Sequence, residues 1–295
     1  MGIFMGFVKR FLLLFTLFRY DFVYIHREAA PIGPPVIEWL ITKVFRKKII
    51  YDFDDAIWVK LASVANPGVA GLKCTWKVPL ICKMSHIVSV GNEYLADYAQ
   101  QFCKDVRVIP TVVNTDNYHN QIRDQHQGKL TIGWTGTYTN LYNLKMINEA
   151  VYRLQQKYDF DYLIIANRDP HLEKVKYEYV RWKLESEIED LMKIHIGIMP
   201  LANSEVEMGK CAFKAIQYMS LGIPAVVSPV GANKLVVQNG IEGFWADTEQ
   251  EWYEKIERLI TDPILRTEMG KRARHRVIDD YSVKSNASIF FGLFQ

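Results

Sequence analysis

Apolar and polar positions along this chain alternate between two rhythms. Short apolar runs at residues 21–25, 48–51, 86–90 and 106–110 are bounded by Asp, Gly, Pro or Asn and predict buried strands. Between them, residues 36–46, 76–84 and 93–102 repeat their apolar positions at helical spacing. A Gly/Pro/Asn-containing loop occupies residues 65–71, and residues 111–127 are polar, marking a domain boundary. The second half resumes the alternation, with strands predicted at 129–134, 160–166, 179–182, 194–199 and 225–227 and an edge strand at 244–246. Helices are predicted at 142–157, 185–192, 249–261, 263–279 and 283–294. Strands that alternate with helices at these lengths predict an α/β protein with parallel sheets and right-handed crossovers, in two halves. Ligands of such sheets bind beyond the carboxyl ends of the strands.

The stretch 204–230, SEVEMGKCAFKAIQYMSLGIPAVVSPV, organises the second half. It reads as a helix that starts at Gly209, ends at Leu221 and is stopped by Gly222 and Pro224. At about 100° per residue, Lys210, Lys214 and Gln217 share one face, and Ala212, Phe213, Ile216 and Met219 face the core. Two lysines near a helix start oppose the helix dipole and repel each other. The placement makes sense if an anion sits there; otherwise it is a solvated basic face balanced by Glu205 and Glu207.

The opening residues MGIFMGFVKRFLLLFTLFRYDF carry a basic pair, Lys9 and Arg10, and an apolar run too short to span a bilayer. A core helix, a membrane-surface helix and a signal remnant are all compatible with it, and the strand-like segment directly after it favours the first.

Composition narrows the function classes. With 295 residues and 49% hydrophobic content the chain can bury two cores. A net charge of +3 is too close to balance for a nucleic-acid binder. Its four cysteines form no CxxC and its seven histidines no HExxH, which points to free thiols in a reducing cytoplasmic setting and to no metal site of those types.

Candidate chemistry lies at strand ends. In the first half His26, Arg27 and Glu28 end one strand, and Asp52, Asp54 and Asp55 end the next. Carboxylates so close together repel unless something satisfies them. They are read as acceptor-activating bases, as a DxD metal site, or as turn caps. The single His86 before its strand reads as structural. In the second half the candidates are Gly136 and Thr137, the segment 167–169, residues 200–201, the face from Gly209 to Gln217, and Gly231. Gly136 permits close approach of a ligand to the backbone, although glycines also serve simply as tight turns.

The set YDFDDAIW, IPTVVNTDNY, IGWTGT, IGIMPL, GKCAFKAIQYMSLGIPAVVSPVGAN and RARHRVIDDYS resembles retaining glycosyltransferases of family 4, from about Tyr20 to Tyr281. The resemblance implies a GT-B fold, two Rossmann-like domains with parallel sheets facing a cleft. Residues 1–112 would form an acceptor-side domain that lacks the family's opening strand and glycine-rich loop, and residues 113–280 the nucleotide-sugar domain. Residues 281–295 would be a helix packing back toward the first domain. It implies transfer of a hexosyl-type sugar from a UDP- or GDP-linked donor to an acceptor hydroxyl, with neither cofactor nor metal, which sets the DxD reading aside. Catalytic candidates are His26, Glu28, Asp54 and Asp55; donor-binding candidates are Gly136, Thr137, Gly209, Lys210, Lys214 and Gln217. The family's paired glutamates fall here on Gly209 and Gln217, and its arginine after the glycine on Thr137. Expected partners are the donor, a glycan or lipid-linked acceptor of the cell envelope, the inner face of the cell membrane through residues 1–19, and a partner chain over the incomplete sheet; no nucleic acid is expected. Rival readings are a non-catalytic nucleotide-sugar-binding fragment and a sugar-nucleotide epimerase or phosphorylase of the same fold.

Overall fold

Strands form where the apolar runs predict them. A computed structural model describes residues 2–30, 32–59 and 74–295, so the loop expected at 65–71 lies outside the described residues. Strands β1 (Phe22–His26), β2 (Lys48–Phe53), β3 (Ile87–Val90) and β4 (Val106–Val108) make a parallel sheet in the order β1-β2-β3-β4. Helices α1 (Gly2–Leu14), α2 (Val36–Trp39, continued by a π turn over Leu40–Val44), α3 (Lys77–Met84) and α4 (Glu93–Gln100) accompany it. Sequential parallel order with right-handed crossovers puts the connecting helices on one face. That face buries Ile49, Tyr51, Phe53, Val88 and Val90 against Ile81, Leu95 and Ala96. By the two-residue period of a strand, Ile50 turns the other way and packs with Ile87 on Leu293. On that side the ring of Phe22 meets Phe294, and Tyr24 meets Phe290, each at 5.9 Å between centroids.

These elements belong to one compact unit, residues Met1–Pro110 with Met208–Cys211 and Ser288–Gln295. The other unit is Thr111–Glu207 with Ala212–Ala287. Its sheet contains β5 (Thr131–Gly136), β6 (Asp161–Ala166), β7 (Glu178–Arg181), β8 (Ile196–Met199), β9 (Ala225–Val227) and β10 (Gly243–Trp245). All pair in parallel in the order β10-β9-β8-β5-β6-β7. The order runs outward in both directions from β5 and β8, which makes their carboxyl ends the switch point of a doubly wound sheet. The main helices are α5 (Asn148–Gln155), α6 (Glu187–Leu191), α7 (Glu205–Met208), α8 (Phe213–Ser220), α9 (Asn233–Val236), α10 (Glu249–Thr261), α11 (Pro263–Asp280) and α12 (Val283–Phe291).

Three expectations need correction. The continuous helix over 142–157 is a 3-10 stretch, Tyr138–Met146, followed by α5. There Asn143 turns inward instead of an apolar residue, its amide donating to Glu207 Oε1 and accepting from Ala202 N. The helix expected from Gly209 to Leu221 begins only at Phe213, as α8; residues 209–212 lie outside any helix, between it and the short α7 that precedes them. Finally, α1 is not a core helix: Leu14 and the following Leu17 are buried, but Phe11, Leu12, Leu13, Phe15 and Phe18 are exposed. No helix among the described residues is long and apolar enough to cross a membrane.

Candidate functional site

Close packing at the switch point begins with a glycine. A Cβ at Gly197 in β8 would collide with the ring of Tyr218, so glycine there lets α8 settle directly on the sheet. The Tyr218 hydroxyl accepts from Thr135 N at 2.8 Å and donates to Ile198 O at 3.4 Å, tying α8 to β5 and β8. Burial pushes the Tyr218 phenol pKa up, which keeps the hydroxyl a neutral donor. The end of α8 is as the sequence predicts: Gly222 has φ +71°, its N–H donates to Met219 O, and Ile223 N–H donates to Tyr218 O, the paired bonds of a Schellman motif.

One turn before Tyr218, Lys214 lies against the end of β5. Its ammonium stands 5.7 Å from the centre of the Trp134 ring. A Cβ on Gly136 would come within 2.5 Å of the Trp134 ring and 2.9 Å of Lys214 Cε. Glycine at that position therefore keeps the carboxyl end of β5 open beside a cation. Thr137 follows, its Oγ1 2.9 Å from that of Thr139. At the end of the neighbouring β6, Arg168 stacks on the Tyr138 ring at 4.6 Å. Ala212, the N-cap of α8, offers no side chain to the first-turn amides, and that turn contains no acidic residue. Uncapped first-turn N–H groups with cations nearby favour an anion.

Gln217 is buried, not solvated, and donates to Glu187 Oε1 at 3.2 Å. The same oxygen accepts from Trp182 Nε1 at 3.0 Å, and Oε2 accepts from the Tyr118 hydroxyl at 2.9 Å. Glu187 thus fixes Gln217 and Trp182, the residue directly after β7. Phe213, expected in the core, is exposed. Nothing in the periodicity marks Glu187, which comes from a different element.

Gly209 and Lys210 fall in the first unit. The helix breaks there because the backbone is claimed by other partners. Asn92 Nδ2 lies within 3.1–3.3 Å of the carbonyl oxygens of Met208, Gly209 and Lys210, while Asn92 Oδ1 accepts from Leu95 N as the cap of α4. A Cβ on Gly209 would reach Ala56 N at 2.6 Å, and Cys211 Sγ lies 3.2 Å from Asp54 O. Ala212 closes the break at φ +56°. Lys210 is consequently not on a helical face with Lys214.

At the carboxyl ends of β1 and β2 the charged residues do come together. His26 Nδ1 is 2.7 Å from Asp52 Oδ2, and its Nε2 is 3.9 Å from Asp54 Oδ1. Arg27, held at φ +62° with its N–H donating to Asp52 O, places its guanidinium on Asp54 at 2.7 Å and on Asp55 at 2.8 Å. Arg27 is the cation that lets Asp54 and Asp55 stand side by side, while Asp52 is held by His26. Burial raises the Asp55 pKa, against the opposing pull of Lys210 and Arg27. Glu28 turns away to Lys77, whose buried ammonium sits 2.7 Å from Glu28 Oε2 and 2.5 Å from Ala30 O. With Asp52 holding the Nδ1 proton, His26 presents Nε2 as a hydrogen-bond acceptor at a half-exposed site. Asp52, the orienting partner, stood among the strand-end residues but only the structure shows its role. Among the described residues no group of His, Cys, Asp and Glu has the arrangement of a metal site.

Residues 129–262 match the family model described as glycosyl transferases group 1. No curated protein matches the chain. Among solved structures it is similar to sucrose-phosphate synthase from Thermosynechococcus elongatus, with a TM-score of 0.71 at 16% identity, covering 98% of this chain and 76% of that one. A glycosyltransferase from Rickettsia africae gives 0.71 at 14% identity, covering 99% and 81%. HepE from Anabaena, in a complex with UDP and glucose, gives 0.71 at 15%, covering 97% and 81%. These likenesses establish the fold: α/β of the GT-B type, with two Rossmann-like parallel sheets.

Proposed function

We propose that this chain transfers a sugar from a nucleoside-diphosphate sugar to an acceptor hydroxyl, with the second unit binding the donor and the first the acceptor. The observation that carries the reading is the switch point at β5 and β8, where Gly136 leaves backbone space directly beside Lys214. A diphosphate there would meet Lys214, the first-turn amides of α8 and, at the next strand end, Arg168. Gln217, oriented by Glu187, would face ribose hydroxyls, and the exposed Trp182 would lie under the base. The match of residues 129–262 to a glycosyltransferase model and the UDP complex of HepE support the assignment.

In the reaction the acceptor oxygen bonds to the anomeric carbon as the bond from that carbon to the diphosphate breaks, the electron pair leaving with the phosphate oxygen. The cations and amides of the second unit stabilise that charge. The acceptor proton passes to His26 Nε2, with Asp52 stabilising the imidazolium. Asp54 and Asp55, clamped by Arg27, orient acceptor hydroxyls, and Glu28 anchors Lys77. By the family resemblance the sugar is a hexose transferred with retention, no cofactor takes part, and the acceptor is a cell-envelope or lipid-linked glycan at the cytoplasmic face of the membrane.

Incubating the protein with UDP- and GDP-sugars and following free nucleotide and product by mass spectrometry tests this. The expected result is consumption of one donor class, lost in His26→Ala without loss of nucleotide binding. Nucleotide binding without consumption by any acceptor would support the binding-module reading instead, and failure to bind any nucleoside diphosphate would end both.

A further inference from the structure

The surface of the first unit carries a second feature, unrelated to the strand-end charges. Between α1 and α2 runs a groove of about 780 Å³ lined almost wholly by apolar groups, among them Val8, Phe11, Leu12, Ile32, Val36 and Leu40. Outside the groove the same two helices and the turns that continue them expose Leu13, Phe15, Phe18, Trp39 and Val44. An apolar surface of this extent costs free energy in water and marks an interaction site.

Charge says what lies against it. Residues 1–20 contain Lys9, Arg10 and Arg19 and no acidic residue. Residues 36–48 contain Lys43, Arg46, Lys47 and Lys48, and their one carboxylate, Glu38, is buried and accepts from Ala29 N. The whole chain is only +3, so these two segments hold more than its net positive charge and the remainder is negative. Exposed aromatic and aliphatic residues among cations, with no acid facing outward, match a negatively charged bilayer. One lining residue is bonded to the loop that follows the strand-end cluster. Ala30 lines the groove, and Lys77 bridges Ala30 O to Glu28, two residues beyond His26.

We propose that this groove holds the hydrocarbon tail of an anionic lipid acceptor, taken from a negatively charged membrane on which α1 and α2 rest. The acceptor role rests on the glycosyl-transfer reading; occupation of the groove by a tail does not.

The full chain is mixed with vesicles of phosphatidylcholine alone or with equal phosphatidylglycerol, a fraction of which carries a photoreactive group in its acyl tail. Labelled residues are then mapped after digestion. Salt-sensitive binding to the anionic vesicles alone is expected, with label in residues 8–12 and 32–40. Leu12→Asp and Val36→Asp, both at exposed positions, are expected to reduce that label about tenfold or more, with melting and nucleotide binding unchanged. Label scattered over the surface, label unaffected by the substitutions, or a stable dimer in solution that Val36→Asp dissociates would each overturn the proposal. Because the labelling needs neither donor nor turnover, its failure is distinguishable from failure of sugar transfer.

Discussion

The two parallel sheets of this chain are wound differently. In the six-stranded sheet of the second unit, strand order reverses between β5 and β8, and the backbone opens at Gly136 beside Lys214. Among the described residues, the four-stranded sheet of the first unit progresses in one direction with no reversal. Its strand ends are filled by side chains: His26 on Asp52, and Arg27 on Asp54 and Asp55. Topology alone therefore opens backbone space at a switch point in one unit, while the strand ends of the other are occupied by paired side chains. Under the proposed function, the reversal would supply space and backbone donors for the diphosphate, and the one-way sheet a base and hydrogen-bonding carboxylates.

The sharpest way to separate the two is His26→Ala. Loss of a general base typically costs about a hundred- to ten-thousandfold in rate, so transfer should fall by that order while nucleotide affinity measured by calorimetry stays unchanged. Lys77→Ala strikes the support of the same site: it leaves the partly exposed Glu28 carboxylate and Ala30 O without their buried partner, at a cost of about 1–3 kcal/mol, to be read as an earlier urea transition of the first unit. In the second unit, His195 is buried, with Nδ1 accepting from Thr131 N and Nε2 lying 2.6 Å from the Arg123 guanidinium and 3.0 Å from Gln127 O. Burial, then Arg123, lowers its pKa to about 4. Its neutral form is bonded in the folded state, so its stability contribution is full above the unfolded value of about 6.5 and is lost as pH falls toward about 4, at most about 3 kcal/mol. His195→Gln should flatten that slope in pH-dependent unfolding of the second unit. Gly197→Ala overpacks Tyr218 and should cost about 1–3 kcal/mol, with weaker nucleotide binding because α8 shifts; an unchanged affinity would detach Lys214 from the site.

Local periodicity carries much of the frame, and most of the departures from it come from contacts between residues far apart in the chain. Strands and crossovers follow from local periodicity, and Gly222 announces the end of α8 because only a glycine suits that left-handed position. The break at residues 209–212 was not legible, since it is imposed by the side chain of Asn92, more than a hundred residues earlier in the chain. The burial of Gln217 likewise depends on Glu187 and Tyr118, and the closeness of Asp54 and Asp55 on Arg27. The N-terminal helix misled for a different reason: an apolar run fits a core and a surface helix equally well by periodicity, and only the exposure of Phe11, Leu12 and Phe15 sets the core reading aside.

The most direct test is calorimetric titration of UDP and GDP into the native chain, Lys214→Ala and His26→Ala. The account predicts that one nucleotide binds, that Lys214→Ala weakens it about ten- to a hundredfold by removing a charge-assisted contact, and that His26→Ala leaves it unchanged. Equal affinity for native protein and Lys214→Ala would contradict the placement of the diphosphate at the β5–β8 switch point.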